Sequence, residues 1–206
     1  VYYTKDKSVV LNKEVVIPEV LKEFGIKKSD LTEDTAAEVG NIFKLGTKFS
    51  QPLGLEYTDD NNERREIYMG CYGIGVGRLA ASVCEAKHDD YGPIWPISIA
   101  PWQVEICNLR CDNEAVNTVA NTLYADLQKM GVEVLYDDRN IRPGAMFADA
   151  DLFGVPVRAV VSPKNCERGV VEISLRDKSY KDEFEISEAA EKIKALVDKM
   201  LKEFDI

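Results

Sequence analysis

The residues best suited to chemistry lie in the run GCYGIGVGR, residues 70–78. Gly73, Gly75 and Gly77 alternate, and Arg78 follows at once. Glycines two apart in a strand leave one face without side chains, so a planar or anionic ligand can lie against the backbone. A cation near a helix start opposes the positive end of the helix dipole. A bound polyphosphate or a stacked purine would explain the position of Arg78. The alternative is that the glycines serve only to let a helix pack close to a sheet.

The elements around this run position it. Ile67 to Met69 has β-type composition, and Leu79, Val83 and Ala86 recur at helical spacing after the glycines. The predicted order is strand, glycine-rich stretch, helix. The glycine spacing differs from the dinucleotide fingerprint, and a phosphate-loop lysine is missing.

Four ordered segments carry a family resemblance. GCYGIGVGR resembles the third signature motif of class II aminoacyl-tRNA synthetases. Three further segments are similar to prolyl-tRNA synthetases of the bacterial type: EVGNIFKLGTKFS (38–50), GPIWPISIAPWQVEI (92–106) and DDRNIRPGAMFADADLFGVP (137–156). The resemblance covers residues 35–206, and the agreement of four motifs in type and order is far more specific than any one of them.

The resemblance implies roles around the glycines. Arg78 would be the catalytic residue and would bracket ATP, with Gly73, Gly75 and Gly77 as the floor beneath the adenylate and Glu38 on the ribose. Proline would be held by Gly40, Phe43 and Cys71. Asn41 departs from the histidine common in bacterial relatives, and an amide cannot titrate.

The fold class expected is α/β. The end of a class II antiparallel-sheet catalytic domain is followed by an α/β anticodon-binding domain with a mixed five-stranded sheet, as the resemblance implies. The predicted domains are residues 1–37 as a linker or the exit of an inserted domain, 38–99 as the end of the catalytic domain, and 100–206 as the anticodon-binding domain. Within the first two, Glu38 to Ser50 is expected to form a strand and turn with a mostly buried face, and Trp95 to pack in the catalytic-domain core.

The last hundred residues alternate strands and helices, which is typical of an α/β sandwich. Strands are predicted at 104–109, 132–136, 155–161 and 170–175. A helix at 115–130 is capped by Asn113 or Asp112, a short helix opens at Arg142, and a closing helix at 187–204 has Ser187 as its N-cap.

An RNA contact is predicted where the second of these strands ends. Ligands bind beyond the carboxyl ends of strands in such sheets, and arginine, acidic and aromatic side chains read unstacked bases. The resemblance implies that this edge meets the anticodon loop, through Asp137, Asp138, Arg139, Arg142 and Phe147. A solvated turn with local ion pairs is the alternative reading of the same residues.

Composition limits the classes of function. The net charge is −10, which argues against indiscriminate nucleic-acid binding, although residues 139–176 hold six basic against four acidic residues. The five cysteines lack any paired C-x-x-C pattern, which favours reduced thiols in a cytoplasmic protein. We expect no metal site, no membrane span, and a helix-end role for the single histidine, His88.

The resemblance implies the carboxy-terminal part of an enzyme that activates proline with ATP and Mg²⁺ and transfers it to tRNA(Pro), as a homodimer. The family's first and second motifs are not found in the sequence, so the fragment alone is predicted to be inactive and to bind no cofactor tightly. Two alternatives remain: a non-catalytic tRNA-binding module derived from a synthetase, or a class II synthetase for threonine, glycine or histidine.

Overall fold

The structure, a computed structural model, describes residues 1–204. The chain divides into two compact units, residues 1–82 and residues 83 onward, each described here by itself. Over the described range, no helix combines the length and the apolar character that crossing a membrane requires.

The first unit begins with a small antiparallel sheet in which β1 lies between β2 and β3. Pro18 opens a short helix, and Gly25, at φ +66°, follows its end. The elements are β1 (Tyr2–Thr4), β2 (Val10–Leu11), α1 (Pro18–Glu23) and β3 (Leu31–Glu33).

A two-stranded antiparallel ribbon of β4 and β7 carries the glycine-rich run. The expectation of a buried face on β4 is wrong: Gly40 to Lys44 are exposed, because β4 pairs only with β7 and no other described element covers the ribbon. The polar segment 59–63 forms a hairpin tip between β5 and β6. The elements are β4 (Gly40–Gly46), β5 (Glu56–Thr58), β6 (Arg64–Glu66), β7 (Met69–Ile74) and α2 (Val76–Ala86).

The second unit is built on the predicted mixed five-stranded sheet, in the order β11-β10-β12-β13-β14. The first three strands are parallel, β13 runs antiparallel to β12, and β14 runs antiparallel to β13. The strands are β8 (His88–Asp89), β9 (Gly92–Pro93), β10 (Val104–Asn108), β11 (Val134–Asp137), β12 (Val157–Val161), β13 (Val170–Leu175) and β14 (Lys181–Glu185), and the helices are α3 (Glu114–Lys129), α4 (Pro143–Phe153), α5 (Pro163–Glu167) and α6 (Ala189–Lys202).

The two faces of this sheet differ in what covers them. Apolar side chains of α3 and α6, among them Leu127 and Ile193, pack with Ile106 and Ile173 in the larger core. The other face of β10 and β12 meets α4 through a small cluster of Cys107, Met146, Ala150 and Val160. Burial of apolar area on this second face therefore holds α4 against β10 and β12.

The helix ends test the capping predictions. Asn113 caps α3, because its side chain accepts hydrogen bonds from the amides of Ala115 and Val116. Ser187 does not cap the closing helix: Glu188 occupies that position without a side-chain bond, and α6 starts one residue later. Side-chain identity alone did not fix where the turn after β14 ends.

The hairpin of β8 and β9 packs on α4 within the second unit. The amide of Trp95 donates to the carbonyl of Gly154 at 3.4 Å. The backbone at Trp95 thus lies against the end of α4 in the second unit. The packing of its side chain in the catalytic-domain core stays a prediction.

Candidate functional site

The glycine-rich run forms one wall of a shallow cavity in the first unit. Pairing of β4 with β7 puts Asn41 opposite Gly73 and Phe43 opposite Cys71. The strand ends at Ile74, so Gly73 lies in β7, Gly75 at the junction and Gly77 in the first turn of α2. The three glycines therefore do not share one strand, and the predicted continuous floor is divided between a strand and a helix start.

The cavity, of about 290 Å³, brings together most of the residues predicted for ATP and proline. Gly77 and Cys71 are not among its lining residues, although Cys71 is exposed beside Phe43. Sequence reasoning did not name Val39 and Ile74 as part of it. The lining residues are Glu38, Val39, Gly40, Asn41, Phe43, Gly73, Ile74, Gly75 and Arg78.

Arg78 is oriented by the backbone before β4. Its Nη1 donates to the main-chain oxygen of Glu38 at 2.9 Å, and the guanidinium forms no ion pair with a described residue. The Asn41 side chain donates to the Glu38 carboxylate at 3.3 Å. An exposed guanidinium with free donors beside an exposed carboxylate can bind an anionic group and a hydroxyl at the same time.

Above Gly73 the structure leaves open space. A Cβ placed on Gly73 would meet no atom within 4 Å, whereas one on Gly40 would lie 3.3 Å from the carbonyl oxygen of Gly73. Close strand packing therefore explains the glycine at position 40 and does not explain the one at 73. A ligand lying on the backbone would explain it.

At the second site, the carboxyl end of β11, two acids bind Arg139. Its Nε and Nη2 donate to the two carboxylate oxygens of Asp137 at 2.9 and 2.7 Å, and Nη2 also donates to Asp149 on α4 at 2.8 Å. Asp137 is 7% exposed. The Arg139 guanidinium lowers the pKa of the Asp137 carboxyl, and both acids raise the pKa of Arg139.

The other residues predicted for RNA differ in their surroundings. Asp138 is exposed, and Arg142 is the exposed residue before α4; neither forms an ion pair or side-chain hydrogen bond within residues 1–204. Phe147 is half-buried, and the Arg158 guanidinium lies 5.5 Å from its ring centroid. One face of the Phe147 ring is therefore already occupied.

The excess of basic residues expected between 139 and 176 is mostly neutralised in place. Arg139, Arg158, Arg168 and Arg176 all pair with carboxylates. Arg142 and Lys164 have no carboxylate partner among the described residues. These two remain as free positive charge near the carboxyl ends of the parallel strands.

Several polar residues at or under this edge were missed by sequence reasoning. Asn108 is fully buried at the end of β10; it donates to Asn117 at 2.8 Å and to the Tyr136 hydroxyl at 3.0 Å, while its oxygen accepts from the Arg110 amide. Arg110 pairs through both Nε and Nη2 with Asp112. For Asn108, the signal available in the sequence was a polar residue inside the apolar run VEICNL. No group of three or more potential metal ligands occurs within residues 1–204.

Comparison with known proteins agrees with the four motifs. A family described as "Anticodon binding domain" matches residues 100–196. A proline–tRNA ligase of Thermoanaerobacter sp. (strain X514) is 48% identical over 169 residues, 82% of this chain and 30% of that protein. That of Dehalococcoides mccartyi (strain ATCC BAA-2266 / KCTC 15142 / 195) is 51% identical over 139 residues, 68% of this chain and 24% of its own length.

The chain belongs to the proline–tRNA ligase family. The ligase of Bacillus subtilis (strain 168) is 40% identical over 88% of this chain and 34% of its own length. A crystal structure of prolyl-tRNA synthetase from Cryptosporidium parvum, complexed with L-proline and AMP, matches 80% of this chain and 34% of its own, with a TM-score of 0.71 and 26% identity.

The chain thus spans between 24% and 34% of the length of these ligases, and it corresponds to their carboxy-terminal part. The resemblance to these ligases and the mixed α/β fold predicted from the sequence are confirmed.

Proposed function

We propose that this chain supplies a tRNA-reading module and part of the ATP and proline site to a proline–tRNA ligase. The whole enzyme would activate proline with ATP and transfer it to tRNA(Pro). The similarity of this chain to the ligases, over most of the length of the chain, supports this assignment. The Cryptosporidium parvum enzyme, with proline and AMP bound, supports a nucleotide and an amino acid as the ligands.

The proposed domains are the connector 1–37, the end of a class II catalytic domain at 38–99 and the anticodon-binding domain at 100–206. Residues 88–99 pack with the second unit, so the proposed boundary at residue 100 separates modules of the family rather than compact units. Mg²⁺ would enter with ATP, since nucleotide phosphates commonly bring their own magnesium. Charging of tRNA would take place in the cytoplasm, and the parent would be a homodimer, as the resemblance implies.

In the first unit, Arg78 would bracket the nucleotide, and Gly73, Gly75 and Gly77 would lie beneath it. Glu38 would hold the ribose through its exposed carboxylate. Gly40 and Phe43 would wall the proline site, with Cys71 at its margin. The chemistry assigned to these residues is positioning and charge stabilisation, so no general base among them is needed.

In the second unit, Arg142 would make the most direct contact with RNA. Its guanidinium has no described partner, so no ion pair must break before it binds. Asp138 is similarly free. Arg139 is fixed by two carboxylates, so it would present donors in a set geometry, as base recognition requires. Phe147 would stack through the ring face that Arg158 does not cover.

The single observation that carries the RNA proposal is the exposed Arg142, unpaired among the described residues, beside the fixed Arg139 at the carboxyl end of β11. The test is equilibrium binding of tRNA(Pro) to the 206-residue chain, with Arg142→Ala as the variant and Lys129→Ala as the control. Lys129 is an exposed cation that ends α3, which runs back from the carboxyl ends of the strands.

We expect Arg142→Ala to weaken binding by about 1–3 kcal/mol, the usual cost of one specific base contact. Lys129→Ala should leave the affinity unchanged, and a tRNA with another anticodon should bind less tightly. Equal loss in both variants would indicate general attraction between charges and would contradict anticodon recognition at this edge.

A further inference from the structure

A buried carboxyl group without a partner lies beneath α4. Glu105, in β10, is 1% exposed, and its Oε1 accepts no hydrogen bond from any described residue. Side chains alternate along a strand, so Glu105 shares the sheet face of Cys107, which packs on α4. Buried polar atoms are nearly always satisfied. Glu105 is therefore an exception that packing does not explain.

Its neighbour across the sheet is Arg158, at the paired position of β12. The buried Nε of Arg158 also lacks a hydrogen-bond partner within residues 1–204. Its Nη2 instead donates to Asp151 on α4 at 2.5 Å, and its guanidinium faces the Phe147 ring. Arg158 thus holds α4 through one acid while a second acid, Glu105, lies at the paired position without a bond.

Several elements contribute titratable or charged groups to the surroundings of Glu105 and Arg158. Burial raises the pKa of Glu105 to about 7; the Arg158 charge opposes this rise and the Asp137 charge adds to it. The titratable or charged groups nearby are Cys107 on β10, Asp137 and Arg139 at the end of β11, Arg158 on β12, Glu172 on β13, and Asp149 and Asp151 on α4.

We propose that Glu105 is a positioning residue for α4, the helix that carries Phe147 and begins after Arg142. When Glu105 loses its proton it competes with Asp151 for Arg158, and when it gains the proton it leaves Arg158 to Asp151. With Glu105 neutral, Arg158 is committed to Asp151 and α4 is docked as observed. When the Glu105 carboxyl releases its proton to water, the resulting carboxylate competes for Arg158. The bond to Asp151 then weakens, and Phe147 and Arg142 shift with α4.

This inference rests on the proposed function only for its effect on RNA; the movement of α4 can be followed without RNA. The first measurement is the pH dependence of α4 backbone amide shifts by NMR in the 206-residue chain. We expect a transition centred at about pH 7 in residues 143–153 that is absent in Glu105→Gln. Asp151→Asn should give, already at about pH 6, the shifts that the unaltered chain shows at about pH 8.5.

Two controls separate this transition from other titrations. Glu133→Gln removes an exposed carboxyl just before β11, and His88→Asn removes the single histidine. Both variants should keep the α4 transition. Its persistence in Glu105→Gln, or its absence in the unaltered chain, would overturn the inference whether or not RNA binds.

The second measurement is the affinity for tRNA(Pro) at the two pH values. We expect binding to weaken about threefold or more between about pH 6 and pH 8.5 in the unaltered chain, and to stay constant in Glu105→Gln. If α4 responds but no tRNA binds at either pH, the proposed function fails and the exchange of Arg158 holds. If tRNA binds with the same pH dependence in both proteins, Glu105 does not position the RNA site.

Discussion

Arg176 and Asp89 form a two-point ion pair that joins β13 to the hairpin before the sheet. Nη1 and Nη2 of Arg176 donate to the two carboxylate oxygens of Asp89 at 2.9 and 2.7 Å. The same guanidinium donates to the carbonyls of Asp151 and Gly92, at 3.0 and 3.1 Å. The Arg176 side chain is 1% exposed, so all of its charge is compensated inside the protein.

Removing Arg176 is expected to destabilise the second unit. Arg176→Ala leaves Asp89 and two main-chain carbonyls without their donor, which costs about 3 kcal/mol or more, as for other broken buried pairs. Urea unfolding at neutral pH would measure this loss. Arg168→Ala, which removes an exposed pair with Glu183, is the matched control and should cost much less, because water screens an exposed ion pair. Similar costs for both variants would contradict this account of Arg176.

The pairing also sets a dependence on pH. Arg176 holds the pKa of the Asp89 carboxyl well below its usual value of 3.8. A lowered pKa in the folded state contributes stability that is present above the unfolded value and is lost as the pH falls towards the folded one. Asp89→Asn should therefore be less stable than the unaltered chain at neutral pH, and the difference should shrink in strong acid. Thermal unfolding at a series of pH values would show it, and a constant difference would contradict it.

Glu105 should give a dependence of the opposite sign. Its pKa rises from 4.5 to about 7 on folding, so the folded state binds more protons than the unfolded state between these values. Stability is then fully present below about 4.5 and falls as the pH rises to about 7. Glu105→Gln should raise the free energy of unfolding above pH 7 by about 3 kcal/mol at the most, and should change little near pH 4. A variant that is less stable at both pH values would contradict this sign.

The sheet of the second unit could be predicted from its apolar strands and the capped helix between them. The first four strands and α3 lie within a few residues of their predicted positions, because apolar periodicity and an Asn cap are local signals. The resemblance implies a fifth strand, but its position, Lys181–Glu185, was not predicted, since it is an edge strand with a single buried residue, Phe184. Backbone hydrogen bonds to β13 make this segment a strand, although its composition does not favour one.

The candidate sites were predicted only as groups of residue types. The resemblance named Arg78 and Glu38, but a sequence does not show that Arg78 binds a main-chain oxygen at residue 38. Likewise, the sequence shows an excess of arginine after residue 139, and only the fold shows which arginines are neutralised. Arg176 and Asp89 are 87 residues apart, and no local pattern connects them.

The open space above Gly73 leads to a prediction for the full-length ligase. Gly73→Ala should leave the fold intact, because the added Cβ meets no atom within 4 Å. It should weaken ATP binding by about tenfold or more if the nucleotide lies on this backbone, since the methyl group would then displace it. Calorimetric titration with ATP measures the effect. Gly131→Ala, at φ +75° after α3, is the control for a strained glycine substitution, because it lies far from the site along the chain. A normal ATP affinity in Gly73→Ala would contradict the proposed floor.

The 206 residues on their own are expected to catalyse no exchange of pyrophosphate into ATP in the presence of proline. The resemblance assigns the grip on the α-phosphate to a motif that the sequence does not contain. Arg78 alone supplies one exposed cation to a cavity that is open to solvent, and such a charge stabilises a transferring phosphate weakly in water. The exchange assay, with a full-length ligase as the positive control, would detect any activity, and proline-dependent exchange by the short chain would contradict this expectation.

The contact between the β8–β9 hairpin and the end of α4 has a practical meaning for truncation. A Cβ on Gly92 would lie 2.7 Å from the Asp151 carbonyl oxygen, and one on Gly154 would overlap the Pro93 carbonyl. A recombinant piece that starts at residue 100, where the domain family begins to match, would discard the hairpin and three of the four acceptors that Arg176 uses through its side chain. The minimal piece to express therefore begins near residue 83, so that it keeps the hairpin whose Asp89 and Gly92 accept hydrogen bonds from Arg176.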